Sequence, residues 1–251
     1  MTEAMDAEFD TVAEWTAQVA LELGPEYHIP AGCRGSGSPA ALDWLIEHLE
    51  LTPGDTLLDS GAGVGGPAAY AAQAVSLHPV LAEPEAGACR AARTLFGFPV
   101  VQAVGSALPL ADASVDAAWS LGVLCTTPDQ LDLLTELRRT VRPPGRIGLL
   151  AFVAREPLRG REPEGNHFPT GDRLTELIAD AGLQIQKRRN TADLPSPPSD
   201  WTDRVDAVTD TLADRHGASR AWQLAERQSS RIGDLLDEGA VTGEMLVLRH
   251  A

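Results

Sequence analysis

Residues 57–66 read Leu57-Leu58-Asp59-Ser60-Gly61-Ala62-Gly63-Val64-Gly65-Gly66. Two leucines ahead of an acid mark the end of a buried strand. The glycines that follow accept positive φ and let a ligand come close to the backbone. From Gly65 to Ala74 the pattern turns helical, and the free N–H groups at that helix mouth attract a negative group. Strand, glycine loop and helix in this order predict a nucleotide-type ligand above the loop.

Working outward, short apolar runs at Thr56 to Asp59, Pro79 to Glu83, Val100 to Val104, Val115 to Leu121 and Gly145 to Val153 alternate with helical stretches or loops. That rhythm belongs to parallel strands joined by crossover helices. Leu183 to Arg188 and Val241 to Arg249 add two more strands. The predicted fold is α/β, a doubly wound, seven-stranded, mainly parallel sheet in a single domain spanning 1–251. Residues 1–40 form an N-terminal helical lid, because Phe9, Val12, Ala13, Thr16, Val19 and Ala20 recur at helical spacing up to Gly24-Pro25. Residues 41–153 form the ligand-binding core. Its first helix is started by Ser38-Pro39 and buries Leu42, Leu45, Ile46 and Leu49 on one face. Residues 154–251 are the substrate side: a polar loop from Arg155 to Pro169, a helix from Gly171 to Ala181, a helical insert from Trp201 to Leu236, and the last strand.

With 36 acidic against 20 basic residues the chain carries a formal charge of -16, which repels phosphate backbones and anionic bilayers. Nucleic acid and membrane are therefore not expected partners, whereas a small-molecule acceptor is, and a homodimer is compatible. Cys33, Cys89 and Cys125 are odd in number and lack C-x-x-C spacing, so neither a disulfide framework nor a metal site is expected. The first ten residues hold four carboxylates and no apolar run, and no stretch approaches the ~20 apolar residues of a membrane span. A cytoplasmic protein is expected.

Gly61-x-Gly63-x-x-Gly66 also satisfies the dinucleotide fingerprint, and Glu83 at the second strand end would hold ribose hydroxyls in either case. Charge separates the two. A pyrophosphate against the loop would be repelled by Asp59, whereas S-adenosylmethionine has no phosphate and carries a cationic ammonium and sulfonium. Asp59-x-Gly61-x-Gly63-x-Gly65 then resembles motif I of the class I S-adenosylmethionine-dependent methyltransferases. Three further segments are similar to the family in the family's order: Leu81-Ala82-Glu83-Pro84; Ala107-Leu108-Pro109-Leu110-Ala111-Asp112-Ala113-Ser114-Val115-Asp116; and Leu137 to Arg146 with its Pro143-Pro144-Gly145 turn. The likeness covers about Leu42 to Ala181 and is nearest the small-molecule branch, with ubiquinone, menaquinone and natural-product methyltransferases. It implies S-adenosyl-L-methionine as cofactor, with Asp59, Gly61, Gly63, Gly65, Glu83 and Leu121 around it. Two segments depart from the pattern. Val104-Gly105-Ser106-Ala107 lacks the carboxylate that takes the adenine amine, leaving Ser106 and the backbone of Ala107; Leu121 to Thr126 lacks the usual acid or histidine.

Methyl transfer needs alignment and exclusion of water, and a hydroxyl acceptor also needs a base. His167, in the loop after strand five, and His28, in the lid, are the candidates; His48, His78, His216 and His250 fall away from the ligand side. Arg34 is the candidate to meet the carboxylate of the donor or a substrate anion. The function expected is methyl transfer to a small hydroxyl compound such as a sugar, phenol or natural product. Transfer to carbon or nitrogen, an NAD-dependent oxidoreductase, and a non-catalytic binding protein of the same fold are the alternatives.

Overall fold

The computed structural model describes residues 2–251. Its elements are α1 (Glu3–Asp6), a π-helical turn (Ala7–Val12), α2 (Ala13–Leu23), α3 (Pro25–Gly32), α4 (Pro39–Leu49), β1 (Thr56–Ser60), α5 (Gly66–Val75), β2 (His78–Glu83), α6 (Ala86–Phe96), β3 (Val100–Gln102), β4 (Ala117–Leu121), α7 (Gln130–Thr140), β5 (Arg146–Ala154), α8 (Gly171–Asp180), β6 (Leu183–Asn190), α9 (Ser199–His216), α10 (Arg220–Asp237) and β7 (Val241–His250). The seven expected strands are all present and form one sheet in the order β3-β2-β1-β4-β5-β7-β6. Only β7 runs antiparallel to its neighbours. The order reverses between β1 and β4, so the loops at their carboxyl ends splay apart and open a crevice. The glycine loop leaves β1 there.

Alternation along the strands sorts the core into two layers. On one face Leu58, Ala118, Ile147 and Leu149 pack with Leu133, Leu134 and Leu137 of α7 and Leu174 and Ile178 of α8. On the other, Leu57, Trp119, Leu150 and Val247 pack with Leu42, Leu45 and Leu49 of α4. A third cluster joins the lid to the insert: Val12, Ala13 and Val19 lie against Ala88 and Ala91 of α6, Val208 and Leu212 of α9, and Trp222 of α10. Lid and insert thus form one apolar layer.

Two local readings are corrected. The first lid helix ends before Gly24-Pro25 as expected, but a π turn interrupts it at Ala7–Val12; α3 follows Gly24, and Pro25 starts that helix at a position where its missing N–H costs nothing. β3 also stops at Gln102 instead of continuing to Val104, because the chain turns and packs Gly105 against Ser60 and Leu133. The lid is fastened by Asp10, whose carboxylate accepts the Gly87 N–H at the start of α6, and by Glu14 to Arg90 at 2.5 Å. Among the described residues no helix is long and apolar enough to cross a membrane.

Candidate active site

The turn from β1 into α5 places Gly61, Gly63 and Gly65 at φ of 78°, 53° and 87°. At Gly63 a Cβ would meet no protein atom within 4 Å, yet the residue lines the crevice, so the space beside its backbone is open to a ligand. Gly66 serves packing instead. A Cβ there would stand 2.1 Å from the Gly32 carbonyl carbon, so the end of α3 can rest on the start of α5 only because both residues lack side chains.

Glu83 closes β2 beside the loop and is 4% exposed. Its Oε2 accepts the Gly63 N–H at 2.8 Å and its Oε1 the Glu85 N–H at 3.0 Å. Burial pushes its carboxyl up to about 7; the N–H groups of Glu85 and Gly63 oppose the rise and the Glu85 carboxylate adds to it. Asp59 lies beneath the loop, 1% exposed, with Oδ2 lacking any hydrogen bond. Burial pushes it up to about 7 as well, opposed by the Trp119 indole and reinforced by the charge of Glu83. The Trp119 N–H itself stays without a hydrogen-bond partner, so its opposition is that of a nearby dipole. Burial thus holds both acids above the ordinary carboxylate range, Glu83 with two backbone N–H donors and Asp59 with one oxygen unpaired.

The crevice is a cavity of about 390 Å³. One wall is Gly61, Gly63, Glu83, Leu121 and Gly122. The facing wall comes from the lid, with Met5, Glu8, Phe9, Val12 and Arg34, and the end is closed by Asn166 and by Gln228, Ile232 and Leu236 of α10. Arg34 lies 3.4 Å from Glu226 and its guanidinium sits 5.8 Å from the Trp222 ring centroid. Cys125 also lines the cavity, but burial pushes its thiol up to about 12, with the Glu8 charge adding to the rise, so it is no thiolate nucleophile.

Of the residues singled out in the sequence, Gly61, Gly63, Glu83, Leu121 and Arg34 line the cavity, and Asp59 acts from beneath it. Gly65 supports the loop from behind, against Leu81 and Phe96. Ser106 and Ala107 are not among the residues lining the cavity, and β3 ends before them. The two histidines are not among the lining residues either. The His167 side chain is exposed, and its backbone is what is used, with the N–H on Cys125 O at 2.6 Å and the carbonyl accepting from Gln130 at 2.7 Å. His28 lies edge-on to Phe96, outside the cavity lining. Sequence reasoning missed Glu8 and Asn166. Glu8 left a signal, a carboxylate four residues before Val12 on the apolar stripe of the lid; Asn166 left none.

A glycine cradle open at Gly63, an acid at the end of β2 and an under-compensated Asp59 fit a nucleoside ligand whose charge is cationic. This arrangement sits at the switch point of a seven-stranded sheet, and residues 58–149 match the family model described as a methyltransferase domain. That stretch is similar to a methyltransferase domain. The chain is 38% identical over 136 residues to an uncharacterized methyltransferase of Mycobacterium tuberculosis, covering 52% of each. It spans about half the length of the curated relatives it matches. Among solved structures it resembles the cyclopropane synthase MmaA2 from Mycobacterium tuberculosis, with a TM-score of 0.68 at 17% identity over 93% of this chain and 97% of that one. It also resembles the cyclase SpnF, with a TM-score of 0.66 at 22% identity over 83% and 79%. At these identities the likeness is one of fold.

Proposed function

We propose that this protein transfers a methyl group from S-adenosylmethionine to a hydroxyl of a small, uncharged, largely apolar acceptor enclosed between the sheet and the lid. The observation that carries the reading is that donor cradle and acceptor wall belong to one cavity. When bound, the donor supplies a methyl carbon made electrophilic by its sulfonium. Gly61 and Gly63 allow the close backbone approach, Glu83 is placed for the ribose hydroxyls, and Arg34 is placed for the methionyl carboxylate. Asp59 favours the positive ligand from below. Met5, Phe9, Val12 and Leu236 exclude water from the reacting centre, which strengthens every polar contact inside it.

The acceptor class follows from the wall. Among the described lining residues Glu8, Glu83 and Glu85 face one cationic side chain, Arg34, and even partly protonated they disfavour an anionic acceptor; the remaining surface is mostly apolar. Thr126, Asn166 and Ser229 supply neutral polar contacts. The test is to supply radiolabelled methyl donor and the protein to a cell extract and identify the labelled metabolite. A neutral methyl ether supports the reading. Label on nitrogen or carbon, or on an anionic compound, contradicts it.

A further inference from the structure

We propose that Glu8, presented by the π turn of the lid, is the group that takes the hydroxyl proton of the acceptor, with the Asn166 side-chain amide donating to the acceptor and holding it in line. The proposal rests on the functional reading above and deepens it.

Three elements meet at this corner. Glu8 and Phe9 are adjacent in sequence yet both face the cavity, and the widened π turn is the local departure that carries them. Gly165 leans on the same lid segment, where a Cβ would come within 2.8 Å of Met5 Sδ, one turn before Glu8. The next residue, Asn166, is 6% exposed, lines the cavity, and has an amide Nδ2 with no hydrogen-bond partner. A buried, unpaired donor costs roughly 1–3 kcal/mol, a cost that a ligand oxygen would remove. The third element is the segment after β4, where the Cys125 thiol is close enough to feel the Glu8 charge.

The groups facing Glu8 set its basicity. Arg34 from the loop after α3 draws it toward the ionised form, while Glu226 from α10 pushes the other way. From the segment after β4 it faces Cys125, which is neutral. From α6, Gly87 is bonded to Asp10 of that turn, and Arg90 pairs with Glu14 while its charge also reaches Asp10. Burial outweighs Arg34, so the carboxyl stands above the ordinary range. That is where a base is useful near neutral pH. In the step, the acceptor oxygen forms its bond to the methyl carbon as the carbon–sulfur bond breaks. The bonding pair returns to sulfur, leaving a neutral thioether. The hydroxyl proton passes to a Glu8 carboxylate oxygen and then to solvent.

The test uses Glu8→Gln, Glu8→Asp and Asn166→Ala, with neutral phenols and secondary alcohols as probe acceptors. S-adenosylhomocysteine binding is measured on each protein first. Glu8→Gln is expected to keep product affinity, lose about a hundredfold or more in kcat, and lose the acid limb of the pH profile. Glu8→Asp should recover part of that loss, and Asn166→Ala should raise KM more than it lowers kcat. Independently of turnover, the glutamate carboxyl 13C resonance that vanishes in Glu8→Gln should titrate above the ordinary carboxylate range in the product complex. Wild-type turnover matched by Glu8→Gln with an unchanged pH profile overturns the Glu8 role and leaves the methyltransferase reading intact. Failure of the wild type to bind S-adenosylhomocysteine overturns that reading itself. A wild type that binds it and labels none of the probes overturns both the hydroxyl acceptor and the Glu8 role.

Discussion

Replacing the Asp59 carboxylate by the amide, Asp59→Asn, should make the protein more stable and worse at binding its donor. Burial raises the Asp59 carboxyl from 3.8 to about 7. A folded-state pKa above the unfolded one means that the folded chain holds its proton longer. The associated stability is complete at low pH and lost as pH rises from about 4 through about 7. A shift of about three units at about 1.4 kcal/mol each amounts to about 4 kcal/mol at about pH 8. Near pH 5 the unfolded chain is ionised and the folded one is not, so less than half of that loss has accrued. The amide does not ionise and escapes the loss, although its own buried N–H groups reduce the gain to about 2–4 kcal/mol. Urea unfolding of the ligand-free proteins at the two pH values reads this directly. The Asp59→Asn protein should gain most near pH 8 and less than half as much near pH 5, while affinity for S-adenosylhomocysteine falls about tenfold or more. A variant no more stable than the wild type near pH 8, or one whose gain ignores pH, would refute the idea that Asp59 is held charged for its ligand at the expense of the fold.

Two further sets of substitutions probe the frame of the site. Gly66→Ala drives a methyl group to within 2.1 Å of the Gly32 backbone, and because neither side can yield without moving α3, it should cost about 2–3 kcal/mol in denaturant unfolding and also weaken product binding as the lid shifts. His167→Ala and His28→Ala alter side chains outside the cavity lining, and both should keep kcat and product affinity within about twofold. A large kcat loss in either would restore a histidine base.

Strands β1, β4 and β5 were legible because each is a short apolar run bounded by turn residues, and burial on both faces leaves little room for another pattern. The donor half of the site was legible for a related reason: Gly61 and Gly63 act through backbone freedom right after β1, and Glu83 stands at the carboxyl end of the adjacent parallel strand β2, a position that the strand pattern gives. The acceptor half was not. Glu8 and Asn166 are more than 150 residues apart in the chain and line one cavity only because the lid packs on the insert and the loop after β5 leans on Met5. His167 misled for the complementary reason. Its loop does reach the ligand side, but the chain turns Asn166 inward and His167 outward, one residue apart, and no spacing rule decides which of two loop neighbours faces the cavity. Ser106 failed because β3 ended two residues early, and strand ends are set by packing such as that of Gly105 on Ser60.

The most direct test of the central claim is calorimetric titration of the purified protein with S-adenosylhomocysteine and, separately, with NAD, at about pH 7 in two buffers of different ionisation heat. S-adenosylhomocysteine should bind and NAD should not. S-adenosylmethionine, which adds the sulfonium charge, should release protons on binding, because Asp59 and Glu83 stand near half-ionisation in the free protein and a cation draws them to the charged form. Preferential binding of NAD, or no binding of either nucleoside ligand by a folded sample, would contradict the assignment.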